Sequence, residues 1–154
     1  MTRPERRPGI LLPGIALLAV VLASLAAEAA PAGPVSVDIG VVVASNQGTS
    51  VDPALSALRV KLQSMFSYSS YKMLDRAKRN LAVGETGDFA LPGGRSMKVT
   101  PVAAPPNKVR LAVQIMEGER NLLTTTLGMS RGGMVLVGGP PYRSGVMILL
   151  ISAE

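Results

Sequence analysis

Apolar and polar residues alternate along most of the chain after residue 34, which is the spacing of β-strands. In "VSVDIGVVVA" at 35–44, five apolar residues share one face at a spacing of two. Val42 and Ala44 add apolar side chains to the opposite face. A strand that is apolar on both faces is covered on both sides, so this pattern predicts an interior strand.

The apolar spacing changes to that of a helix after the polar segment at 45–50. Asp52 is suited to accept hydrogen bonds from the first helical amides, and Pro53 suits the first helical position because its missing N–H is not needed there. Four apolar residues then recur at steps of three and four: Leu55, Leu58, Leu62 and Met65. We therefore predict a helix over 53–66 that packs on a sheet through this stripe.

From Tyr68 onward the pattern is that of an antiparallel meander, with short period-two segments separated by turn residues. The clearest segment is 108–117, where Lys108 and Arg110 alternate with apolar residues. Further strands are predicted at 70–76, 79–83, 87–91, 95–102, 121–128, 134–138 and 145–152. The last of these is apolar on both faces, so we expect it to lie centrally or under the helix.

These elements predict an α+β fold, with one helix packed on a mainly antiparallel sheet. A β-sandwich or a partly rolled sheet is the alternative. Residues 30–154 are numerous enough to bury a core of their own, and we expect them to form a single β-rich domain. The chain contains no cysteine, so the fold is held without disulfides.

The N-terminus has the layout of a signal peptide. "MTRPERRPG" carries three arginines, an apolar run follows from Ile10 to Ala27, and Ala27-Glu28-Ala29 offers a cleavage site. We predict a cleaved signal peptide at 1–29 and a periplasmic or secreted location. An uncleaved membrane anchor is the alternative, because the run is close to the length that spans a bilayer. Without cysteine the chain is not expected to be a lipoprotein.

The formal net charge of +6 draws an exported protein toward acidic partners. The densest basic run is "KMLDRAKR", which directly follows two tyrosines. The predicted binding surface consists of Tyr68, Tyr71, Lys72, Arg76, Lys78 and Arg79. It is suited to an acidic surface on an envelope protein, and the alternative interpretation is a solvated strand face.

Two short motifs imitate active sites. Gly128, Ser130 and Gly132 fit the G-x-S-x-G pattern of a hydrolase nucleophile, but the chain contains no histidine to act as base. The segment after the glycines is also a strand, "MVLV", where that motif requires a helix. We therefore predict a β-hairpin turn here, with positive φ at Gly132 and Gly133.

Ser69 and Lys72 fit the S-x-x-K spacing of penicillin-recognising enzymes, in which a lysine of lowered pKa serves as base. The S-D-N and K-T-G elements of those enzymes are missing from the sequence. With no histidine, no cysteine and scattered carboxylates, we predict no metal and no cofactor. Few aromatic residues and no phosphate-loop pattern argue against a specific nucleic-acid site.

The C-terminal part carries a threonine-bearing strand, a glycine turn and a short strand that ends in paired glycines. The residues concerned are Thr124, Thr125, Thr126, Gly132, Gly133, Val135, Val137, Gly138 and Gly139. In this arrangement residues 122–153 resemble a segment in the membrane domain of secretins, the outer-membrane pores of secretion and pilus systems. The chain lacks the Pro-rich loop that follows in secretins. The resemblance implies a place near envelope machinery, as does a broader likeness to small exported proteins of Gram-negative bacteria.

Together these features predict a non-enzymatic exported binding or accessory domain of a bacterial envelope assembly, related to secretion or pili. Two alternatives stay open at this point. One is a serine-lysine hydrolase that uses Ser69 and Lys72. The other is a binder of anionic lipid or polysaccharide.

Overall fold

The period-two segments form antiparallel strands in a computed structural model that describes residues 32–154. The strands are β1 (Val35–Ser45), β2 (Ser70–Leu81), β3 (Gly87–Leu91), β4 (Arg95–Ala103), β5 (Lys108–Glu117), β6 (Arg120–Ser130), β7 (Gly133–Tyr142) and β8 (Gly145–Ala153). The predicted signal peptide at 1–29 lies outside the described residues. The mainly antiparallel architecture with one short helix agrees with the predicted class.

The strands are divided between two four-stranded sheets. Sheet A has the order β2-β1-β8-β7, and sheet B has the order β3-β4-β5-β6. Strands β3 to β6 form the predicted meander within sheet B, whereas β7 and β8 return to sheet A. The two segments predicted to be interior from their apolar faces, β1 and β8, are the two central strands of sheet A.

The main core lies between the two sheets. One buried apolar cluster contains residues of β1 and β8 from sheet A together with residues of β4 and β5 from sheet B. Four members on β5 are fully buried: Val109, Leu111, Val113 and Ile115. Burying each such side chain contributes about 1.5–3 kcal/mol. The sheets therefore pack face to face, as in the sandwich alternative.

The helix covers the other face of sheet A. A 3-10 helix (Pro53–Leu58) leads into α1 (Arg59–Met65), and the Asp52 carboxylate accepts a hydrogen bond of 3.0 Å from the amide of Ala54. Leu55 and Leu62 are buried against this face. Met65 was expected to join them but is 53% exposed. The tighter 3-10 turn at the start has about 3.0 residues per turn, which rotates the later residues out of the expected phase.

Two predicted strands, 70–76 and 79–83, are one continuous strand, β2. The predicted break at 77–78 was therefore wrong. On an edge strand both faces reach solvent, so charges are tolerated without interrupting the strand. The pairing with β1 shifts between Val41 and Val42, which leaves Leu74 as the extra residue of a bulge.

The predicted β-hairpin at Gly132 and Gly133 was also wrong, since β6 belongs to sheet B and β7 to sheet A. The turn between them crosses from one sheet to the other. Gly132 has the predicted positive φ of 75°, and its amide donates a hydrogen bond of 2.8 Å to the carbonyl oxygen of Ala153. Gly133 does not have positive φ. A Cβ there would lie 2.8 Å from the carbonyl oxygen of Ser130, so this glycine is required by close contact instead.

A core shared by both sheets joins the described residues into one compact unit. Within residues 32–154, none of the helical segments combines the length and the apolar character needed to cross a bilayer.

Candidate functional site

Strand β2 carries most of the predicted binding residues and lies at the edge of sheet A, where it pairs with β1 alone among the named strands. Its register with β1 decides which way each side chain points. Arg76 and Lys78 lie beside Gly40 and Asp38, on the face that the helix partly covers. Lys72 and Arg79 lie beside Val43 and Val37, on the face toward sheet B. The basic run is therefore divided between two faces.

Arg76 is held by an acidic neighbour on β1. Its Nη2 lies 2.6 Å from Oδ2 of Asp38, and its Nε lies 3.0 Å from Oδ1. The pair is bidentate, with the Arg76 side chain 66% exposed and the Asp38 side chain 16% exposed. The hydrogen bond and the charge of Asp38 raise the pKa of Arg76 above its ordinary value. The positive charge of Arg76 is thus largely compensated within the protein.

The other three basic residues of β2 have no such partner. Lys72, Lys78 and Arg79 are exposed, and none of them forms an ion pair within residues 32–154. The guanidinium of Arg79 lies over the ring of Phe89 on β3, 5.5 Å from the ring centroid. This cation–π contact fixes the direction of Arg79 while leaving its positive charge available.

The two tyrosines of the predicted surface occupy different environments. Tyr71 is fully buried among the residues under the helix, so it is a core residue and not part of an exposed surface. Its hydroxyl donates a 2.6 Å hydrogen bond to the carbonyl oxygen of Phe66, and burial raises the pKa of its phenol. Tyr68 is half-buried and packs against the same cluster. Only Tyr68 can contribute aromatic surface beside the basic residues.

The outer edge of β2 is closed along its first half. The amide of Tyr71 donates to the carbonyl oxygen of Ser50, and the carbonyl oxygen of Tyr71 accepts from Asp52. The Asp52 carboxylate then accepts from the amide of Met73 at 3.4 Å, and the Asp75 carboxylate accepts from the amide of Arg76 at 2.8 Å. By the two-residue alternation of a strand, the next outward amides are those of Lys78 and Asn80.

A pocket of about 250 Å³ opens beside Arg76, between the 3-10 helix and sheet A. Its walls are mainly apolar, and they include Leu55, Leu58 and Leu150. Gly40 leaves room in the floor, where a Cβ would meet Leu150 at 3.3 Å. The ion pair of Arg76 and Asp38 lines the same pocket. The face beside β2 therefore offers an apolar recess next to charged groups.

No hydrogen bond joins Ser69 and Lys72 within residues 32–154. The hydroxyl of Ser69 donates a 2.6 Å hydrogen bond to the carbonyl oxygen of Gly48, and its amide donates to Asn46. Lys72 begins the exposed part of β2, where it pairs with Val43. The serine thus fastens the loop after β1 to the start of β2, which is a structural role.

The acidic side chains of the described residues do not form a cluster that could hold a metal ion, because no three of them come together. Asp88 pairs with Lys98 at 2.7 Å, and Glu117 pairs with Arg95 at 3.1 Å. Glu85 accepts a hydrogen bond from the amide of Ala82. Each of these acids has a local structural partner.

The sequence prediction of the binding surface omitted Asp38 and Phe89, which orient two of its arginines. Asp38 carries a recognisable signal, because it is an isolated charge within an otherwise apolar strand. A charged side chain in a largely buried strand requires a partner of opposite charge, and Arg76 on the neighbouring strand β2 is that partner. Phe89 carries no comparable signal, since its contact with Arg79 depends on how the two sheets stack.

No family model matches the chain, and no curated protein matches it. Among solved structures, the chain is similar to the cryo-EM structure of the T2SS secretin XcpQ from Pseudomonas aeruginosa, with 12% sequence identity and a TM-score of 0.42. The similarity covers 83% of this chain and 60% of the secretin chain, less than two thirds of its length. This weak structural likeness is to the same class of protein as the resemblance noted in residues 122–153.

Proposed function

We propose that the chain is a non-enzymatic exported domain that binds an acidic partner protein through β2, as an accessory part of a bacterial envelope assembly. The signal layout of residues 1–29 supports export. The resemblance of residues 122–153 to secretins favours a secretion or pilus system as the assembly. Non-enzymatic binding is favoured because Ser69, the candidate nucleophile, has its hydroxyl engaged with Gly48.

The observation that carries this proposal is the uncompensated charge of β2. Lys72, Lys78 and Arg79 are exposed on an edge strand and form no ion pair in the described part of the chain, and Asp38, which lies beside Lys78, is engaged by Arg76. Arg76 beside them is neutralised by Asp38. Charges of this kind steer an oppositely charged partner and set its orientation, more than they add affinity.

The closed first half of the β2 edge limits how a partner can dock. A strand added along the whole of β2 would have to displace Ser50 and Asp52. An acidic segment can instead lie beside Lys78 and Asn80, whose outward amides are available for short main-chain pairing. Side chains of the bound segment would alternate in the same way, with one carboxylate beside Lys78 on one face of the sheet and another beside Arg79 on the opposite face.

Site-specific photo-crosslinking in cells tests the proposal. A crosslinking residue in place of Lys78 is expected to capture one envelope protein, and a crosslinking residue in place of Lys61 on α1 serves as the control. The adduct at position 78 is expected to weaken when Lys72→Glu and Arg79→Glu are added. It should persist with Arg59→Glu and Arg120→Glu, which change the net charge equally at exposed positions.

The proposal fails if position 78 gives no adduct, or if the same adduct forms equally at position 61. Fractionation of cells that express the tagged chain provides a second measurement. The chain should be recovered with the envelope fractions, and recovery in the cytoplasm would contradict export.

A further inference from the structure

A second basic surface lies on sheet B, away from β2. Strands β5 and β6 pair so that Lys108 lies beside Ser130 and Arg110 lies beside Gly128. Val109, between the two basic residues, is fully buried in the core between the sheets. Lys108, Arg110, Gly128 and Ser130 therefore share the outer face of sheet B, and all four are exposed.

These four residues line an open pocket of about 430 Å³. Gly128 adds no side chain to this space, and a Cβ at this position would meet no atom within 4 Å. The recess lies directly beside Arg110. A guanidinium, an ammonium and a hydroxyl thus border the same space, and no acidic residue lines it.

The two positive charges have no carboxylate in direct contact in the described part of the chain. Neither Lys108 nor Arg110 forms an ion pair within residues 32–154. Along β5 the nearest acid is Glu117, seven residues from Arg110, which corresponds to about 23 Å of strand. That distance is well beyond the Debye length of about 8 Å at physiological ionic strength. On the neighbouring sheet, Glu154 lies near the β6–β7 turn, with its backbone bonded to Ser36.

Arg131 adds a third positive charge at this end of the sheet. Its amide donates to the carbonyl oxygen of Asn107, and its guanidinium donates to the carbonyl oxygens of Ala104 and Pro105. These bonds hold it against the loop that precedes Lys108. This end of sheet B therefore carries three basic residues, Lys108, Arg110 and Arg131, and Arg131 holds the loop before Lys108 in place.

We propose that this pocket binds a phosphate group. A guanidinium, an ammonium and a hydroxyl together offer several donors around one space, which matches the multiple acceptor oxygens of a phosphate better than a single carboxylate. The group can belong to a phosphorylated lipid headgroup or to a soluble phosphate compound. Arg110 supplies the planar donor pair, Lys108 the second charge, and Ser130 a hydroxyl donor.

NMR titration of residues 32–154, which form a compact unit with their own core, tests the site with inorganic phosphate. The backbone amides of Lys108, Arg110, Gly128 and Ser130 are expected to shift saturably, with a Kd on the order of 1 mM. Sodium chloride at equal ionic strength is the reference and should shift them much less. Lys108→Gln with Arg110→Gln should weaken phosphate binding about tenfold. Arg59→Gln with Lys61→Gln removes the same charge from the helix and should leave it unchanged.

Gly128→Glu gives an independent test, because it introduces a carboxylate into open space without a steric clash. Phosphate binding should be lost in this variant and kept in Gly128→Ala. The proposal would be overturned if sodium chloride shifted the four amides as much as phosphate does. It would also be overturned if Arg59→Gln with Lys61→Gln weakened phosphate binding as much as Lys108→Gln with Arg110→Gln.

Vesicles distinguish the two sources of phosphate. If the site recognises lipid headgroups, phosphatidic-acid vesicles should bind the protein, and the Lys108 and Arg110 substitutions should reduce this binding more than the helix control does. Binding of inorganic phosphate without vesicle binding assigns the site to a soluble compound. Failure of the β2 crosslinks would leave both outcomes unaffected, because the two surfaces lie on different sheets.

Discussion

The hydroxyl of Tyr71 lies 2.6 Å from the carbonyl oxygen of Phe66 and donates a hydrogen bond to it, which fastens β2 to the end of the helix. The carbonyl oxygen of Leu62 lies 3.2 Å from the same hydroxyl. Both carbonyls lie at the C-terminal end of α1, and each also accepts a backbone hydrogen bond: Leu62 from the amide of Phe66, and Phe66 from the amide of Tyr68. One buried side chain thus joins the end of the helix to sheet A.

Replacement of Tyr71 by phenylalanine should therefore lower the free energy of unfolding by about 1 kcal/mol, because the ring stays buried while the hydrogen bond is lost. The change should also alter the response to alkaline pH. Burial raises the pKa of Tyr71 in the folded state, so above pH 10 the unfolded phenol releases its proton first. Stability contributed by this group is fully present below the unfolded pKa and falls as the pH rises through the folded pKa.

Urea unfolding between pH 8 and pH 11 measures both effects. The wild type should lose stability more steeply than Tyr71→Phe above pH 10, and parallel curves would contradict the assignment.

Substitutions at the two adjacent glycines of the β6–β7 turn should destabilise the fold for different reasons. Gly132→Val places a β-branched residue at a φ of 75° and should destabilise the fold by about 1–3 kcal/mol. Gly133→Val should be damaging through contact with the carbonyl oxygen of Ser130. Gly132→Asn should destabilise the fold less than Gly132→Val, because asparagine tolerates positive φ. Gly133→Asn should destabilise it as much as Gly133→Val, because both side chains add the clashing Cβ. Thermal unfolding of the four variants checks this, with Ser130→Ala as an exposed control of unchanged stability.

Most of the strands could be predicted from the sequence because one face of each is uniformly apolar. Strand β5 shows this most clearly, since four fully buried residues from Val109 to Ile115 alternate with exposed or half-buried ones. The assignment of strands to sheets could not be predicted in the same way. Ser130 to Gly133 give the same local turn signal whether the next strand pairs with β6 or crosses to sheet A.

The candidate binding surface could be predicted only in part, because it too depends on how distant segments of the chain pair. The basic residues of β2 are visible as a run, but their distribution over two faces depends on the register with β1 and on the bulge at Leu74. Tyr71 was placed on the surface because aromatic residues beside charges resemble an interface. Its burial depends on the helix, whose 3-10 start also turned Met65 outward.

The β7–β8 turn brings Gly145 against the backbone of β1. A Cβ at this position would collide with the carbonyl oxygen of Ala44, so the two strands can approach only if residue 145 is glycine. Gly145→Ala should therefore destabilise the domain by about 1–3 kcal/mol, more than the open-space substitution Gly128→Ala on β6. Comparison of their urea midpoints checks this, and equal midpoints would mean that β1 moves aside without cost.

Activity-based labelling tests the proposal that the chain is not a serine-lysine hydrolase. With its hydroxyl donated to Gly48, Ser69 should not react with a fluorophosphonate or a β-lactam probe. Ser69→Ala should instead lower stability by about 1 kcal/mol, because the loop after β1 loses an anchor. Labelling of the wild type that disappears in Ser69→Ala would show that the residue is a nucleophile.

The ion pair between Asp38 and Arg76 makes the charge of β2 adjustable by one substitution. Asp38→Asn keeps the size of the side chain but releases the positive charge of Arg76 toward solvent, beside Lys78. Because the pair is largely exposed on the Arg76 side, the loss of stability should stay below about 1 kcal/mol. Binding of an oligoglutamate peptide, measured by fluorescence anisotropy at low salt, should become tighter. Asp88→Asn releases Lys98 on sheet B with the same change in net charge. Tighter binding in Asp38→Asn alone supports recognition at β2, and an equal gain in both variants means that the peptide responds to net charge only.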